Sequence, residues 1–159
     1  CGEMETCMQV SGMKEEEREA FLGQFAAEHE RSFLAFCVMG GIFGEGIDLK
    51  NEQLIGAVVV GTGLPQISNE REILMHYYDE RSGEGFDYAY RYPGMNKVLQ
   101  AAGRVIRTVD DRGVILLLDD RFTRREYESL FPKEWERRSS CTVESVSGYL
   151  DAFWEQRNS

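Results

Sequence analysis

Two kinds of hydrophobic spacing alternate along this chain. Continuous apolar runs of strand length occupy Phe33–Met39, Leu54–Val60 and Gly113–Leu118, and Glu5–Val10 is a shorter fourth strand. Between them, apolar residues recur every three or four positions, as on one face of a helix. Lys14–Glu30 carries Phe21, Leu22 and Phe25 on one side, with Glu15, Glu16 and Glu17 in the first turn, where carboxylates favour the positive end of the helix dipole. Glu70–Glu80 places Ile73, Leu74, Tyr77 and Tyr78 together, and Pro93-Gly94 opens a further helix to about Arg107. Arg81–Gly94 is turn-rich, Ser139–Ser147 is a polar connector, and Val146, Leu150, Phe153 and Trp154 give a short terminal helix one apolar edge. Strands apolar on both faces, separated by amphipathic helices, predict an α/β fold whose mostly parallel sheet is covered by helices on both sides. The expected organisation is one domain over residues 1–138, with 139–159 packing on it.

Composition narrows the class. At 159 residues and 42% hydrophobic, the chain is one domain's worth with enough apolar surface for a core, which excludes disorder. Its longest apolar run, around Leu54–Gly61, is far below the roughly 20 residues that cross a bilayer, so no membrane partner is expected. The chain opens Cys-Gly-Glu-Met, without an initiator Met or a signal core, and is expected to be a piece of a longer protein. Cys1, Cys7, Cys37 and Cys141 form no Cys-x-x-Cys and have no His pair near them, so they read as reduced thiols of a cytoplasmic protein rather than a zinc site. Cys37, inside an apolar run, reads as a small core residue, and His29 and His76 as structural or solvated.

The balance of 18 basic against 28 acidic residues argues against a surface that attracts polyanions as a whole. The distribution is uneven. Arg91–Arg138 holds 11 Lys and Arg against 8 Asp and Glu, a net of +3, while 7 basic and 20 acidic residues leave −13 elsewhere. Phosphate should therefore be met through that window.

The helix from Gly94 to Arg107 lies inside it. At about 100° per residue, Met95, Val98, Leu99, Ala102, Val105 and Ile106 point one way, while Gln100, Arg104 and Arg107 cluster on the opposite side. An amide and two planar guanidiniums at i, i+4 and i+7 can converge on phosphate oxygens. Gly103 inside a helix costs about 1 kcal/mol relative to Ala, which implies that something approaches that backbone closely. The alternative is a solvated face of salt bridges. The loop Gly40-Gly41-Ile42-Phe43-Gly44-Glu45-Gly46-Ile47-Asp48 follows a strand end, where open α/β sheets bind ligands. It matches neither the P-loop nor the dinucleotide fingerprint. Asp48 can accept hydrogen bonds from a ribose or cap its own turn. Asp119-Asp120 imitates a metal-holding strand end but reads as a capped turn, since no phosphate-binding Lys loop precedes it. Phe86, Tyr88, Tyr90 and Tyr92 alternate, so an extended backbone would put four rings on one face; packing is preferred to base stacking as their use.

Met39–Leu49 and Gln100-Ala101-Ala102-Gly103-Arg104-Val105-Ile106-Arg107 resemble motifs V and VI of superfamily 2 helicases, in the DinG/XPD branch. Gly63-Leu64-Pro65, Tyr92–Lys97 and Leu117–Phe122 are similar to that branch as well, so the likeness spans nearly the whole chain. The resemblance implies a second RecA-like motor domain, truncated at its N-terminus, from an ATP-dependent DNA helicase moving 5′ to 3′ on single-stranded DNA. It places Gln100 near the γ-phosphate and makes Arg104 and Arg107 arginine fingers. Gly46, Asp48 and Gly103 would lie at the nucleotide, and Gly41, Gly44 and Glu45 at DNA or in coupling; Gly44 departs from the family's usual Ser. ATP and Mg2+ would be held mainly by the first RecA-like domain, the partner of this one. The family's iron–sulfur cluster also belongs there, and the scattered cysteines here do not replace its ligands.

Three function classes follow. The first is a helicase motor half, inactive alone. The second is a non-catalytic module binding a nucleotide or protein on the same basic face, and the third a self-contained α/β enzyme acting on a small phosphorylated substrate. Turnover by the isolated chain separates the third from the others, and a P-loop in the upstream sequence separates the first from the second.

Overall fold

The structure is a computed structural model that describes residues 4–41, 54–106 and 111–155. Its strands pair in parallel. Strand β1 (Glu5–Met8) lies beside β2 (Phe33–Phe36), with Glu5 opposite Phe33 and Met8 opposite Phe36. Helix α1 (Glu15–Ala26) makes the crossover between them. Phe21 of α1 is buried against Cys7, Met13, Leu22, Phe25 and Ala35, so α1 covers the face of the pair that Cys7 and Ala35 share. Glu17 accepts a hydrogen bond from the Lys14 backbone N–H at 2.7 Å and closes the first turn. The helix stops at Ala26 rather than Glu30 because Ala27 is extended and His29 folds back onto the helix end, 2.6 Å from the Gln24 carbonyl. On the other face of this pair Met8, Leu34, Phe36 and Val38 are exposed. Cys37, expected in the core, is also exposed, because β2 ends at Phe36 and the chain has left the α1-covered face.

Strand β3 (Gly56–Val60) pairs in parallel with β4 (Val114–Leu118), Gly56 opposite Val114 and Val60 opposite Leu118. Between them come helices α2 (Asn69–Ser82) and α3 (Tyr92–Ala102). Ser68 caps α2, and Gly83 ends it in the left-handed conformation, φ +72°. The expected turn-rich stretch before α3 is helical. Asp87–Arg91 forms a π-helical segment that runs straight into α3. In a helical backbone, rings two residues apart diverge and rings four apart meet. Phe86 accordingly stacks on Tyr90 at 5.5 Å and Tyr88 meets Tyr92 at 5.2 Å, so the single aromatic face of an extended chain does not form. The Arg71 guanidinium donates to the Ala89 carbonyl at 2.7 Å and the buried Tyr90 hydroxyl donates to Glu72, which ties the segment to α2.

The main core lies on one side of β3–β4. Val59, Met95, Val98, Phe122 and Tyr127 are buried there with Met39, Ala101, Leu117, Leu130, Phe131 and Trp135 around them. The chain after β4 therefore folds back over α3, through a 3-10 turn (Asp120–Thr123), the one-turn helix α4 (Arg125–Glu128) and a second 3-10 turn (Lys133–Trp135). Helix α5 (Val146–Glu155) lies along the same strand pair, Leu150 and Trp154 lining a shallow apolar groove with Ile55, Val58, Val114 and Leu116. Arg112 stacks on Phe153 at 4.5 Å and donates to its carbonyl, anchoring α5 near the start of β4. Among the described residues no helix is long and apolar enough to cross a membrane.

Candidate functional site

The strand ends converge on the start of α3. Gly61-Thr62-Gly63-Leu64 leaves β3 and passes under Gly94 with backbone against backbone. A Cβ on Gly94 would sit 2.6 Å from the Thr62 carbonyl oxygen, and one on Gly63, itself at φ +65°, would sit 2.8 Å from the Gly94 carbonyl oxygen. Met39, beyond β2, closes the third side, its sulfur 3.4 Å from the same Gly63 position. This three-way contact fixes where α3 begins relative to both strands. Thr62 is buried, and its hydroxyl has no hydrogen-bond partner among the described residues.

The exit from β2 is held from two sides. The Gln9 side-chain oxygen accepts from the Val38 N–H at 2.8 Å, and the Gly41 N–H donates to the Val38 carbonyl at 3.0 Å. From α3, the methylene stem of Lys97 crosses the backbone of Gly40, which has φ +74°. Gly41 is half-buried in this turn. Gly44, Glu45, Gly46 and Asp48 lie outside the described residues, as does Arg107.

At the far end of α3 the geometry differs from the continuous stripe expected for Gln100, Arg104 and Arg107. The helix ends at Ala102, and Gly103 is its C-terminal cap, donating to the Leu99 carbonyl at 2.9 Å. Arg104 and Val105 then bond back three residues, to Ala101 at 3.2 Å and Ala102 at 3.1 Å. The turn tightens because Val105 is buried against Gly113, which opens β4 and has no room for a Cβ. Gly103 is exposed, and the nearest atoms to a Cβ there are carbonyls of its own helix, Leu99 O at 3.2 Å and Gln100 O at 3.7 Å. Gly103 thus stands at the C-terminal end of α3, in a right-handed conformation with φ −65°. Gln100 is exposed and Arg104 half-buried beside it.

Much of the basic window is locally neutralised. Arg91 pairs with Asp87 and lies between the Phe86 and Tyr127 rings, while Arg124 reaches Asp120 at 3.4 Å and Arg138 reaches Glu128 at 2.8 Å. Asp119 accepts from the Arg121 guanidinium at 2.7 and 2.8 Å and from its backbone N–H at 2.9 Å. Hydrogen bonding from the Arg121 side chain holds the Asp119 carboxyl well below its ordinary range, at about 2. Asp119 is thus a capped strand end committed to Arg121, as the turn reading of Asp119-Asp120 expects. Among the described residues no group of three or more His, Cys, Asp or Glu is placed to hold a metal ion. Lys97, the last residue of the run Tyr92–Lys97, stands three residues before Gln100, the spacing that puts two side chains on one side of a helix.

Comparison with known proteins agrees with this arrangement. Residues 3–138 match the family described as the helicase C-terminal domain. Regulator of telomere elongation helicase 1 from Bos taurus is 32% identical over 128 residues, covering 75% of this chain and 10% of that protein. ATP-dependent DNA helicase YoaA from Escherichia coli (strain K12) is 30% identical over 112 residues, covering 69% of this chain and 17% of that protein. ATP-dependent DNA helicase CHL1 from Coccidioides immitis is 29% identical over 162 residues, covering 89% of this chain and 19% of that protein. The chain therefore spans only a small part of the relatives it matches. A solved structure of XPD (XPD_APO) superposes on 78% of this chain and 25% of its own with a TM-score of 0.59 at 23% identity, a likeness of fold. Parallel strands crossed over by helices, α3 seated on two strand ends, and a match over residues 3–138 lead to one conclusion: this chain belongs to the helicase C-terminal domain family, of the DinG/XPD type within superfamily 2.

Proposed function

We propose that this chain is the second RecA-like motor domain of an ATP-dependent DNA helicase that moves 5′ to 3′ on single-stranded DNA. Residues 1–138 form that domain and 139–159 pack on it. The observation that carries the reading is the end of α3, where Gln100 is exposed and Arg104 half-buried in a chain that belongs to this family. Gln100 lies near the γ-phosphate, Arg104 and Arg107 act as arginine fingers, Gly46, Asp48 and Gly103 lie at the nucleotide, and Gly41, Gly44 and Glu45 bind DNA or couple it to the nucleotide. A guanidinium is suited to this work because it stays charged and offers a fork of donors to phosphate oxygens.

The first RecA-like domain is the partner that holds ATP and Mg2+. The strand-end acid Asp119 is itself already bound to Arg121. Phosphoryl transfer depends mostly on positioning and charge stabilisation, so a finger presented from a facing domain makes hydrolysis depend on closure. A closure cycle of this kind can step along one DNA strand. A cytoplasmic setting goes with this reading, and cell fractionation checks it.

In the full-length protein, Arg107→Ala should lower kcat by about a hundredfold or more while ATP binding largely survives, and the isolated chain should hydrolyse no ATP. Near-normal turnover by the variant defeats the finger assignment, and turnover by the isolated chain defeats the half-site reading.

A further inference from the structure

We infer that Lys97 is a further phosphate-binding residue of the strand-end site, taking a phosphate oxyanion of either the DNA backbone or the nucleotide, one helical turn before Gln100. The inference rests on the helicase reading proposed above. Three observations carry it. First, Lys97 and Gln100 are three apart within α3 and share one side of it. Second, the turn at Gly40 is built around the lysine stem. A Cβ on Gly40 would lie 2.8 Å from Lys97 Cδ, 2.9 Å from Cε and 3.4 Å from Cγ, and Gly40 has φ +74°, where a side chain is strained in any case. The stem is therefore held against the backbone just before Gly41, and the entropy of ordering a long side chain is spent before any ligand arrives.

Third, the ammonium has no carboxylate partner among the described residues, in a chain of net charge −10 where Arg91, Arg121, Arg124 and Arg138 each hold an acid. A half-buried lysine with no carboxylate partner among the described residues, its stem across the turn that follows β2 and on the side of Gln100, matches a compact oxyanion. An ammonium also acts as a point charge, so it needs no fixed orientation of the phosphate.

The test compares wild type, Lys97→Met and Lys97→Arg in the full-length protein, with a dT oligonucleotide over a salt series and with ATP. Lys97→Met keeps an unbranched stem and removes the charge. If the oxyanion is a DNA phosphodiester, binding weakens about 3- to 10-fold and the slope of log K against log salt becomes shallower by about 0.7, with KM for ATP unchanged. If it belongs to the nucleotide, KM for ATP rises by a similar factor and the salt slope is unchanged. In either case Lys97→Arg restores the lost function, and Gly40→Ala, which must displace the stem, reproduces the defect of Lys97→Met in the same measurement. The inference is overturned if Lys97→Met alters neither measurement by more than about twofold in a protein that binds both ligands, or if Lys97→Arg fails as badly as Lys97→Met. A wild-type protein that binds neither DNA nor ATP overturns the helicase reading, and this inference with it.

Discussion

Replacing Gly94 by Ala tests the contact that seats α3 on the strand ends. Gly94 is the third residue of α3, and by intrinsic preference alone Ala would stabilise a helix by about 1 kcal/mol over Gly. Here the new Cβ would lie 2.6 Å from the Thr62 carbonyl oxygen and 3.2 Å from both Gly63 C and Leu64 N. All three are backbone atoms, so no flexible side chain can give way. Relief requires α3 to move off the β3 loop by several tenths of an ångström, which opens the packing around Met95 and Val98, 2% and 0% exposed. Overpacking of this kind costs about 1–3 kcal/mol, and the loss of well-packed contacts adds to it. The clash outweighs the propensity, and the expected net loss is about 1–2 kcal/mol, with Tm lower by roughly 2–8 °C for a chain of this size. Gly148→Ala in α5 is the control, since among the described residues nothing lies within 4 Å of its Cβ position and the propensity term of about 0.5–1 kcal/mol should appear as stabilisation. Urea unfolding followed by far-UV circular dichroism measures both. Gly94→Ala at or above wild-type stability, or Gly148→Ala losing as much as Gly94→Ala, refutes the reasoning. In the full-length protein Gly94→Ala should also reduce kcat, because the helix it displaces carries Gln100.

Other consequences concern charge and hydrogen bonding. Asp119 has its folded pKa lowered to about 2 by Arg121, against about 3.9 in an unfolded chain, so its contribution is complete above roughly pH 4 and lost as pH falls through about 2. The stability difference between wild type and Asp119→Asn should shrink over that interval; a difference independent of pH contradicts it. His29 has its pKa raised above 6.5, first by the Gln24 carbonyl and then by Glu5. Because both ring nitrogens face acceptors, at 2.6 Å each, the imidazolium is the form that satisfies both, and the tie between α1 and β1 weakens as pH rises through the folded value. An NMR titration placing His29 at or below 6.5 rules this out. Tyr90→Phe should cost about 1–2 kcal/mol through the lost bond to Glu72, and distinctly less in a Glu72→Gln background.

Hydrophobic spacing by itself determined the element types. The runs at Phe33, Leu54 and Gly113 are strands, the first paired in parallel with β1 and the other two with each other, and the segments around Phe21, Leu74 and Val98 are helices. These are local properties, since a run of apolar β-branched residues or a three-four repeat acts through its own backbone. The glycine-rich strand end and the Gln100–Arg107 run were equally readable and carried the family resemblance. Element ends and the aromatic segment were decided elsewhere. Alternation at Phe86, Tyr88, Tyr90 and Tyr92 fits a strand until Arg71 and Glu72 of α2 hold the backbone of Ala89 and the hydroxyl of Tyr90 in a helical segment. The last turn of α3 has a helical pattern, yet burying Val105 against Gly113 outweighs it and ends the helix at Ala102. The passage of Gly63 beneath Gly94, and of the Lys97 stem across Gly40, joins residues 31 and 57 positions apart in the chain. Spacing shows which residues can share a face of one element. Only packing between elements, where a single Cβ would close a gap of under 3 Å, decides which faces meet.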